Sequence, residues 1–447
     1  MRKLFGTDGI RAVAGEAPLD AKTIYAVGLA LAHQLNGTHQ QPRVFLGMDT
    51  RESSNWIAAT VAAGLAAGGA RVENAGVVTT PAIAWLARSH GFAAGVVISA
   101  SHNPWQDNGI KVFGSDGYKL PDETELRIEA EIFRRLENVE LSPIGTAPAV
   151  NEKYRRDYEA FLRSAVPGLT LNRLRAVLDC ANGAASAIAP ELFAHLGGTI
   201  HLTHAAPDGR NINANCGALH PEAVAAETKN LKADLGVTFD GDADRAMFAD
   251  AHGNVVNGDA VMLLAARDMK ERGLLRNDMV VATAMSNMGL EAALRRNGIR
   301  MLRAPVGDKY VLERMRQENA SLGGEQSGHI LFPHLATTGD GLLTALVVLD
   351  VIRRSGRALH ELIADLKVFP QVIVNVRVRE KKPLEQIATV ADTIRDAEAE
   401  LADSGRVVVR YSGTEALARV MIEAESEEAM RRHADRIAGA IRAELGA

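Results

Sequence analysis

Short apolar runs that end in polar loops alternate with helical segments along most of the chain, and this alternation constrains the fold more than any other feature. The runs at Arg43–Met48, Gly95–Ser99 and Leu235–Phe239 are predicted strands. Helical apolar spacing occurs between the runs, for example over Thr23–Leu35 and Asn55–Ala67. Alternation of this kind is typical of βαβ units, so we predict an α/β protein with mainly parallel sheets.

The same layout begins again twice further along the chain. A helix at Tyr154–Arg163 and a strand at Leu174–Leu178 open a second section. A helix at Ala260–Met269 and a strand at Met279–Ala282 belong to a third. The three sections are alike in layout although their sequences differ, which predicts three related α/β sections.

The last part of the chain follows a different pattern. Residues Gln371–Arg379 alternate in the period of a half-exposed strand, and a helix is predicted near Leu384–Leu401. Two further strands, Arg406–Arg410 and Leu417–Glu423, enclose a polar loop before a closing helix at Glu427–Leu445. This order predicts a small α+β module.

Composition excludes several classes of protein. The 447 residues carry 50 Lys and Arg against 55 Asp and Glu, a net charge of −5, and only 4% are aromatic. A nucleic-acid binder or a membrane-surface protein would show basic excess, basic clusters or stacking aromatics. The 2 cysteines cannot form a disulfide framework, and no signal peptide or transmembrane run is evident, so a cytoplasmic protein is expected.

The strongest local signal is an acidic triplet that directly follows a predicted strand. Asp240, Asp242 and Asp244 lie within five residues and would repel one another without a cation between them. Carboxylate-only ligation favours a hard ion, and Mg²⁺ is the expected one. An EF-hand is excluded, because its positions six and twelve need Gly and Glu where this chain has Arg245 and Ala251.

Two alternatives remain open for the acidic loop on local sequence alone. A phosphatase of the haloacid-dehalogenase type also places Asp-x-Asp after a strand, and it would use Asp240 as an acyl-phosphate nucleophile. It would want Thr or Val at the position of Asp244. A solvated acidic turn is the non-functional alternative.

Three further loops carry polar chemistry. Residues 99–104, Ser-Ala-Ser-His-Asn-Pro, follow a predicted strand and offer Ser101 as a nucleophile, although these residues on their own favour a plain turn. Residues 324–329, Gly-Glu-Gln-Ser-Gly-His, suit hydrogen bonding to a polyol but decide nothing alone. The third loop has two guanidinium groups, two hydroxyls and a glycine nest that suit a phosphate, with a hairpin turn as the alternative, and comprises Arg410, Ser412, Gly413, Thr414 and Arg419.

Together with Gly6-Thr7-Asp8-Gly9-Ile10-Arg11, these four loops resemble the α-D-phosphohexomutases, in the family's order and through the entire chain. The resemblance implies three related mixed α/β domains and a C-terminal TATA-binding-protein-like α+β domain around a central cleft. It is consistent with section boundaries at 1–154, 155–256, 257–368 and 369–447.

The resemblance also implies the roles of individual residues. Ser101 would be a phosphoserine and, with Asp240, Asp242 and Asp244, would ligate Mg²⁺. Candidates for the general acid and base are, in order of preference, Lys111 and then His329 and Arg11. Glu325 and Ser327 would hold ring hydroxyls, and the distal phosphate would bind to Arg410, Ser412, Gly413, Thr414 and Arg419.

Within the family, the loops at 99–104 and 324–329 look most like the branch that acts on glucosamine phosphates. The phosphomannomutase/phosphoglucomutase branch more usually reads Thr-Gly-Ser-His-Asn-Pro, with another residue at Gln326, and it stays an alternative. The implied enzyme is an isomerase that converts glucosamine 6-phosphate to glucosamine 1-phosphate through a 1,6-bisphosphate and feeds UDP-N-acetylglucosamine and peptidoglycan-precursor synthesis. A glucosamine or glucose 1,6-bisphosphate would prime it, no nucleic acid or membrane partner is expected, and a homodimer is a candidate assembly.

Two positions depart from the family pattern. The acidic loop, which is also called the metal loop below, has Ala243 where a second glycine is usual. We expect alanine to be tolerated only if this residue does not need a positive φ. The phosphate loop continues Glu415-Ala416 where the family usually has Glu-Pro, which predicts a less rigid loop.

Overall fold

The computed structural model describes residues 4–6, 8–38, 40–141, 145–412 and 416–446. Contacts along the chain group it into two compact units. Unit 1 contains Met1–Ala284 and Leu302–Ile363, and unit 2 contains Met285–Met301 and Ala364–Ala447. Among the described residues, no helix is both long enough and apolar enough to cross a membrane.

The first section of unit 1 is a mixed five-stranded sheet with helices packed against it. Its strand order is β1-β5-β4-β2-β3, in which β2 is parallel to β3 and β4, whereas β5 is antiparallel to β4 and β1. Its elements are β1 (Ile10–Val13), α1 (Ala21–Asn36), β2 (Arg43–Met48), α2 (Ser54–Ala67), β3 (Arg71–Val77), α3 (Thr80–Ser89), β4 (Ala94–Ile98), β5 (Asp107–Gly114) and α4 (Asp122–Leu136).

The second section repeats this arrangement with different residues. Its order is β10-β9-β8-β6-β7, with β6 parallel to β7 and β8, and β9 antiparallel to β8 and β10. Its elements are α5 (Lys153–Ala165), β6 (Arg175–Asp179), a 3-10 helix (Ala184–Ala187), α6 (Ala189–Ala194), β7 (Thr199–Thr203), α7 (Pro221–Asn230), β8 (Leu235–Phe239), β9 (Ala246–Asp250) and β10 (Val255–Val256).

The third section has a four-stranded sheet in the order β12-β11-β13-β14. Here β13 is parallel to β11 and antiparallel to β14, and α9 belongs to unit 2. The elements are α8 (Gly258–Glu271), a 3-10 helix (Arg276–Asp278), β11 (Met279–Thr283), α9 (Met288–Arg296), β12 (Arg300–Ala304), α10 (Asp308–Glu318), β13 (Gly323–Gly324), β14 (Ile330–Leu331), α11 (Gly341–Ser355) and α12 (Leu359–Leu362).

The three sections therefore share the order of four strands, which is β5-β4-β2-β3 in the first, β9-β8-β6-β7 in the second and β14-β13-β11-β12 in the third. The three polar loops of unit 1 occupy one equivalent position in this order. The serine loop, which contains residues 99–104, joins β4 to β5, and the acidic loop joins β8 to β9. The polyol loop, which contains residues 325–329, joins β13 to β14. In each case the joined strands are antiparallel neighbours. The prediction of mainly parallel sheets is wrong in this respect, because apolar runs do not record strand direction and these connections are too short for a helical crossover.

Unit 2 contains a three-stranded antiparallel sheet in the order β15-β17-β16. Two long helices cover one face around a core that includes Val420, Ile422 and Ile437. Its elements are β15 (Gln371–Arg377), a 3-10 helix (Leu384–Gln386), α13 (Ala388–Leu401), a second 3-10 helix (Ala402–Ser404), β16 (Gly405–Tyr411), β17 (Leu417–Ala424) and α14 (Glu427–Leu445). The predicted α+β module is confirmed, although the helix expected from Leu384 begins as an α-helix only at Ala388.

The buried carboxylate of Glu423 joins α9 to this sheet. One of its oxygens accepts a 3.0 Å hydrogen bond from the backbone N–H of Met288, at the start of α9, and the other accepts a 2.5 Å bond from Nε of Arg406. Asn287 exchanges hydrogen bonds with both backbone groups of Phe369. These contacts explain why a helix from the third section groups with unit 2.

Candidate active site

Ser101 lies in unit 1 at the end of a fully buried strand. It is 1% exposed and adopts φ of 53°, the left-handed region that is unusual for serine. Its hydroxyl donates a 2.6 Å hydrogen bond to Oδ2 of Asp240. Nδ1 of His102 lies 3.2 Å from the hydroxyl oxygen of Ser101. The structure thus brings together the predicted nucleophile and the predicted metal loop.

The three carboxylates of the acidic loop converge in the turn between β8 and β9. All are buried, and oxygens of Asp240, Asp242 and Asp244 lie within 4.8 Å of one another. Burial, and then the charges of Asp244 and Asp242, raise the pKa of Asp240 well above its usual value. Oδ1 of Asp242 and Oδ1 of Asp244 are buried and, within the described residues, have no hydrogen-bond partner. Such a set of oxygens fits a hard divalent cation.

Ala243 contradicts the expectation that alanine needs a negative φ in this loop. It adopts φ of 56°, which costs roughly 1–2 kcal/mol for a residue other than glycine. Its N–H donates to the carbonyl of Asp240 at 3.0 Å, and its carbonyl accepts from the N–H of Gly341 at 2.9 Å. Hydrogen bonds at both of its peptide groups hold the strained conformation.

Lys111 projects from β5 into the acidic cluster. Its Nζ is 2.8 Å from Oδ2 of Asp242, 2.9 Å from Oδ2 of Asp8 and 3.9 Å from Oδ2 of Asp244. Burial opposes its charge, but these three carboxylates raise the pKa of Lys111 above its usual value. Arg11 pairs with Asp8 on the other side. Lys111 and Arg11 therefore lie where the sequence predicted them, as firmly held cations.

His329 is held between two carboxylates from different parts of unit 1. Its Nδ1 is 3.6 Å from Asp244 and its Nε2 is 3.6 Å from Asp308. Burial would lower its pKa, but the charges of Asp244 and Asp308 outweigh burial and raise the pKa of His329 to about 9. Gly339 makes room for the ring, since a Cβ there would lie 2.3 Å from Nε2.

Three charged residues of this site were missed by the sequence analysis. Nζ of Lys119 is 2.7 Å from Asp8 and 2.7 Å from Asp308, so acids and bases alternate from Asp242 through Lys111, Asp8, Lys119 and Asp308 to His329. Asp8 stood in the quoted N-terminal motif, so the resemblance could have identified it. Lys119 and Asp308 carry no local signal, because only tertiary contacts give them partners.

The polyol loop faces a cavity of about 170 Å³ that is also lined by Asp8, Asp244 and Tyr310. Glu325 lines this cavity, and its carboxylate accepts from the N–H of Gly307 at 3.1 Å and from the hydroxyl of Ser327 at 3.3 Å. The carboxylate of Glu325 is thus oriented by its neighbours.

Gln326 has a different environment from its neighbours in this loop. Its Nε2 donates a 3.2 Å hydrogen bond to Oδ2 of Asp259, a buried residue of α8. The side-chain amide of Gln326 is therefore hydrogen-bonded to α8, a helix of its own section. This contact does not by itself place Gln326 against a sugar.

The predicted phosphate loop lies in unit 2. Arg410 on β16 and Arg419 on β17 are directly paired in the ladder, so their side chains share one face of the sheet. Ser412 is buried, and its carbonyl accepts a 2.7 Å hydrogen bond from Nζ of Lys381, a cation that the sequence analysis missed. Gly413 and Thr414 lie outside the described residues. Two like charges held side by side favour an anion between them.

Known proteins resemble this chain along its whole length. The phosphoglucosamine mutase of Koribacter versatilis (strain Ellin345) is 61% identical, over 100% of this chain and 98% of its own. A phosphoglucomutase/phosphomannomutase family protein from Burkholderia thailandensis has a structure with TM-score 0.78 at 24% identity, covering 99% of both chains. The N-acetylphosphoglucosamine mutase of Aspergillus fumigatus, in complex with GlcNAc-6P and magnesium, has TM-score 0.60 at 19% identity, covering 99% of this chain and 96% of that one.

Transfer of a phosphoryl group needs a nucleophile, a site for a cation and surrounding positive charge, and unit 1 gathers all three around Ser101. The fold and the site define an isomerase that moves a phosphoryl group on a sugar phosphate. The chain belongs to the phosphoglucomutase/phosphomannomutase family, whose domains I, II, III and IV match residues 2–139, 156–253, 257–369 and 373–440.

Proposed function

We propose that this enzyme is a phosphoglucosamine mutase, which interconverts glucosamine 6-phosphate and glucosamine 1-phosphate. The observation that carries the proposal is the 2.6 Å hydrogen bond from Ser101 to Asp240 inside a buried triplet of carboxylates. The name of the Koribacter relative supports glucosamine as the sugar. The product would supply UDP-N-acetylglucosamine and peptidoglycan-precursor synthesis.

Ser101 would carry the phosphoryl group. In the first half-reaction the Oγ–P bond of phosphoserine 101 breaks while O1 of glucosamine 6-phosphate bonds to phosphorus. The O1 proton passes to a base, and Oγ of Ser101 gains a proton. The resulting 1,6-bisphosphate then turns over in the site. In the second half-reaction the O6–P bond breaks while Oγ of Ser101 bonds to phosphorus. The Oγ proton passes to a base, O6 gains a proton, and glucosamine 1-phosphate leaves.

The carboxylates of Asp240, Asp242 and Asp244, together with the phosphate on Ser101, would hold Mg²⁺. The magnesium in the Aspergillus enzyme and the buried oxygens without hydrogen-bond partners both support this assignment. When bound, Mg²⁺ supplies charge that polarises the phosphoryl group and stabilises the serine oxygen as it leaves.

The basic residues around Ser101 would divide the remaining tasks. Lys111 is locked by two close carboxylates and holds its proton firmly, so it suits charge stabilisation and donation of a hydrogen bond. His329, with its pKa raised to about 9, is an imidazolium at neutral pH and is placed to act as an acid. Arg11, paired with Asp8, would contact the phosphoryl oxygens.

The sugar and its distal phosphate would be held by two further groups of residues. Glu325 and Ser327 would bind ring hydroxyls, which is consistent with the orientation of the Glu325 carboxylate towards the cavity. The same distal site must accept either end of the bisphosphate, because O1 and O6 exchange places between the half-reactions. Its proposed ligands are Arg410, Ser412, Gly413, Thr414 and Arg419.

Some expectations of wider scope belong to the proposal as well. A 1,6-bisphosphate of glucosamine or glucose would prime Ser101, and the Aspergillus enzyme with a substituted serine binds glucose 1,6-bisphosphate. We also propose a cytoplasmic enzyme, without nucleic-acid or membrane partners, with a homodimer as candidate assembly. The proposed domain boundaries are 1–154, 155–256, 257–368 and 369–447, which limited proteolysis would check.

The decisive assay compares glucosamine, glucose and mannose 6-phosphates with Mg²⁺ and glucose 1,6-bisphosphate. We expect the highest kcat/KM for glucosamine 6-phosphate. A higher value for either of the other sugars would instead assign the phosphomannomutase/phosphoglucomutase activity. Intact mass should show one phosphate that resists hydroxylamine, whereas a hydroxylamine-labile phosphate would indicate an aspartyl phosphate at Asp240.

A further inference from the structure

Two side chains from different sections of unit 1 bind the same two backbone carbonyls of the serine loop. Nη2 of Arg51 donates to the carbonyls of Ser101, at 3.1 Å, and of Asn103, at 2.6 Å. Nδ2 of Asn213 donates to the same carbonyls at 2.9 Å and 3.0 Å. We call Arg51 and Asn213 the carbonyl clamp.

Arg51 is fixed before it reaches the loop. It is 1% exposed, its guanidinium pairs with Asp49, and its N–H donates to the same carboxylate at 3.0 Å. The N–H of Asp49 donates to the carbonyl of Ile98 at 3.0 Å, at the end of β4. The guanidinium is therefore anchored to the strand that carries the serine loop, with its charge already neutralised.

Asn213 brings the second section into contact with the same loop. Its own N–H donates to the carbonyl of Ala181 at 2.9 Å. Gly241 of the metal loop packs against both partners, because a Cβ there would lie 2.5 Å from the Ser101 carbonyl oxygen and 2.9 Å from Nδ2 of Asn213. The amide is therefore wedged between the serine loop and the metal loop.

The backbone of Ser101 needs such support. Its φ of 53° costs roughly 1–2 kcal/mol for a residue with a Cβ, so the surroundings must impose it. The N–H of Ser101 bonds to Oγ of Ser99 at 2.9 Å, which leaves the carbonyl side of the loop to the clamp. If the clamp were lost, the loop could relax and move Oγ away from Asp240.

We propose that Arg51 and Asn213 are positioning residues that hold Oγ of Ser101 against the metal loop in both halves of the phosphoryl cycle. The inference rests on the proposed function of Ser101 as the phosphoryl carrier. The clamp binds backbone carbonyls and not the side chain, so it is the same whether Ser101 is a hydroxyl or a dianionic phosphate. A reaction that passes between these two states needs a support that does not change with them.

The test is Asn213→Asp in the full-length enzyme. This substitution keeps the shape of the side chain and replaces the donor with an acceptor that faces two carbonyl oxygens. We expect kcat to fall at least tenfold, while KM for glucosamine 6-phosphate stays within twofold. The rate of Ser101 phosphorylation by glucose 1,6-bisphosphate, followed by intact mass in a single turnover, should fall by the same factor.

Asn211→Asp is the matched control. Asn211 lies two residues before Asn213 in the same loop. Its side-chain amide donates to the carbonyl of Ala206 at 3.1 Å and does not bond to the serine loop. Its kcat should stay within twofold of the wild type. Arg51→Lys keeps a charge beside Asp49 but loses the planar fork, and it should also lower kcat more than it raises KM.

Turnover of Asn213→Asp within twofold of the wild type would overturn the inference. So would a loss of kcat that Asn211→Asp shares, because that pattern indicates general disruption of the loop. The proposed function is tested separately by the wild type. If wild-type Ser101 takes up no phosphate, the proposed function fails, whereas normal wild-type phosphorylation with an unaffected Asn213→Asp variant rejects the clamp alone.

Discussion

The hydroxyl of Ser101 donates a 2.6 Å hydrogen bond to Asp240, although 139 residues separate them in the chain. The contact joins the β4–β5 connection of one section to the β8–β9 connection of the next, which occupy the same position in the repeated strand order. The active site of unit 1 is thus assembled from equivalent turns of repeated sections.

Replacing the nucleophile gives the most direct prediction. Ser101→Ala should lower turnover by roughly 10³-fold or more, because no other described hydroxyl bonds to Asp240. Circular dichroism and intact mass should show a folded protein without phosphate. The matched control is Ser164→Ala, since that hydroxyl is exposed and bonds to the nearby carbonyl of Phe161. Near wild-type turnover in Ser101→Ala would reject the mechanism.

The acidic triplet should respond differently at two of its members. Asp240→Asn replaces a buried carboxyl group whose pKa is raised by burial and by its charged neighbours. The melting temperature of this variant in EDTA should therefore be a few degrees above that of the wild type. Asp242→Asn should instead lower the melting temperature, because Lys111 would lose a carboxylate at 2.8 Å.

Both of these variants should bind Mg²⁺ more weakly than the wild type. Isothermal titration with Mg²⁺ and thermal denaturation in EDTA provide the two measurements. Equal metal affinity in all three proteins would place the cation elsewhere, and equal melting temperatures for the two variants would contradict the electrostatic argument.

Asp340 provides a prediction about pH. It caps α11, accepts a 2.5 Å hydrogen bond from the hydroxyl of Tyr158, and has its pKa raised by burial to about 6. Because the folded state holds this proton more tightly than the unfolded state, stability falls as pH rises from about 4 to 6 and then stays lower.

Asp340→Asn removes this cost and keeps a good helix cap. The variant should melt a few degrees above the wild type at pH 8, with a smaller difference at pH 5. Asp350→Asn on the same helix is a control of opposite sign, since arginine partners lower the pKa of Asp350 despite the opposing effect of burial. A gain for Asp340→Asn that is independent of pH would show that the carboxylate is not its cause.

The paired arginines of unit 2 predict a change in substrate affinity. Arg419→Ala should raise KM for glucosamine 6-phosphate by roughly 10- to 150-fold, as expected when one charge-assisted hydrogen bond worth roughly 1.5–3 kcal/mol is lost. Phosphorylation of Ser101, in the other unit, should be normal by intact mass. Arg431→Ala, on α14 and paired with Glu427 of the same helix, is the control. An unchanged KM would remove Arg419 from the phosphate ligands.

Much of the secondary structure could be predicted because apolar periodicity is local. The strands at Arg43–Met48 and Leu235–Phe239 and the helix at Glu427–Leu445 have the predicted bounds. Short elements such as β13 escaped prediction, since two glycines, Gly323 and Gly324, carry no periodic signal. Close packing requires glycine in this strand, because a Cβ on Gly323 would lie 2.5 Å from the sulfur of Met315.

The sequence by itself determined which residues offer chemistry: the serine after β4, the acidic triplet and the two arginines that flank the phosphate loop. These signals are readable because residue type and spacing are properties of a short segment. Only the tertiary structure decided the partners of Lys111 and the pairing of Lys119 with Asp308. The same is true of the hydrogen bonds from Arg51 and Asn213 to the serine loop. The physical reason is that electrostatic and hydrogen-bonding roles depend on distances across the fold, and residues far apart in sequence set those distances.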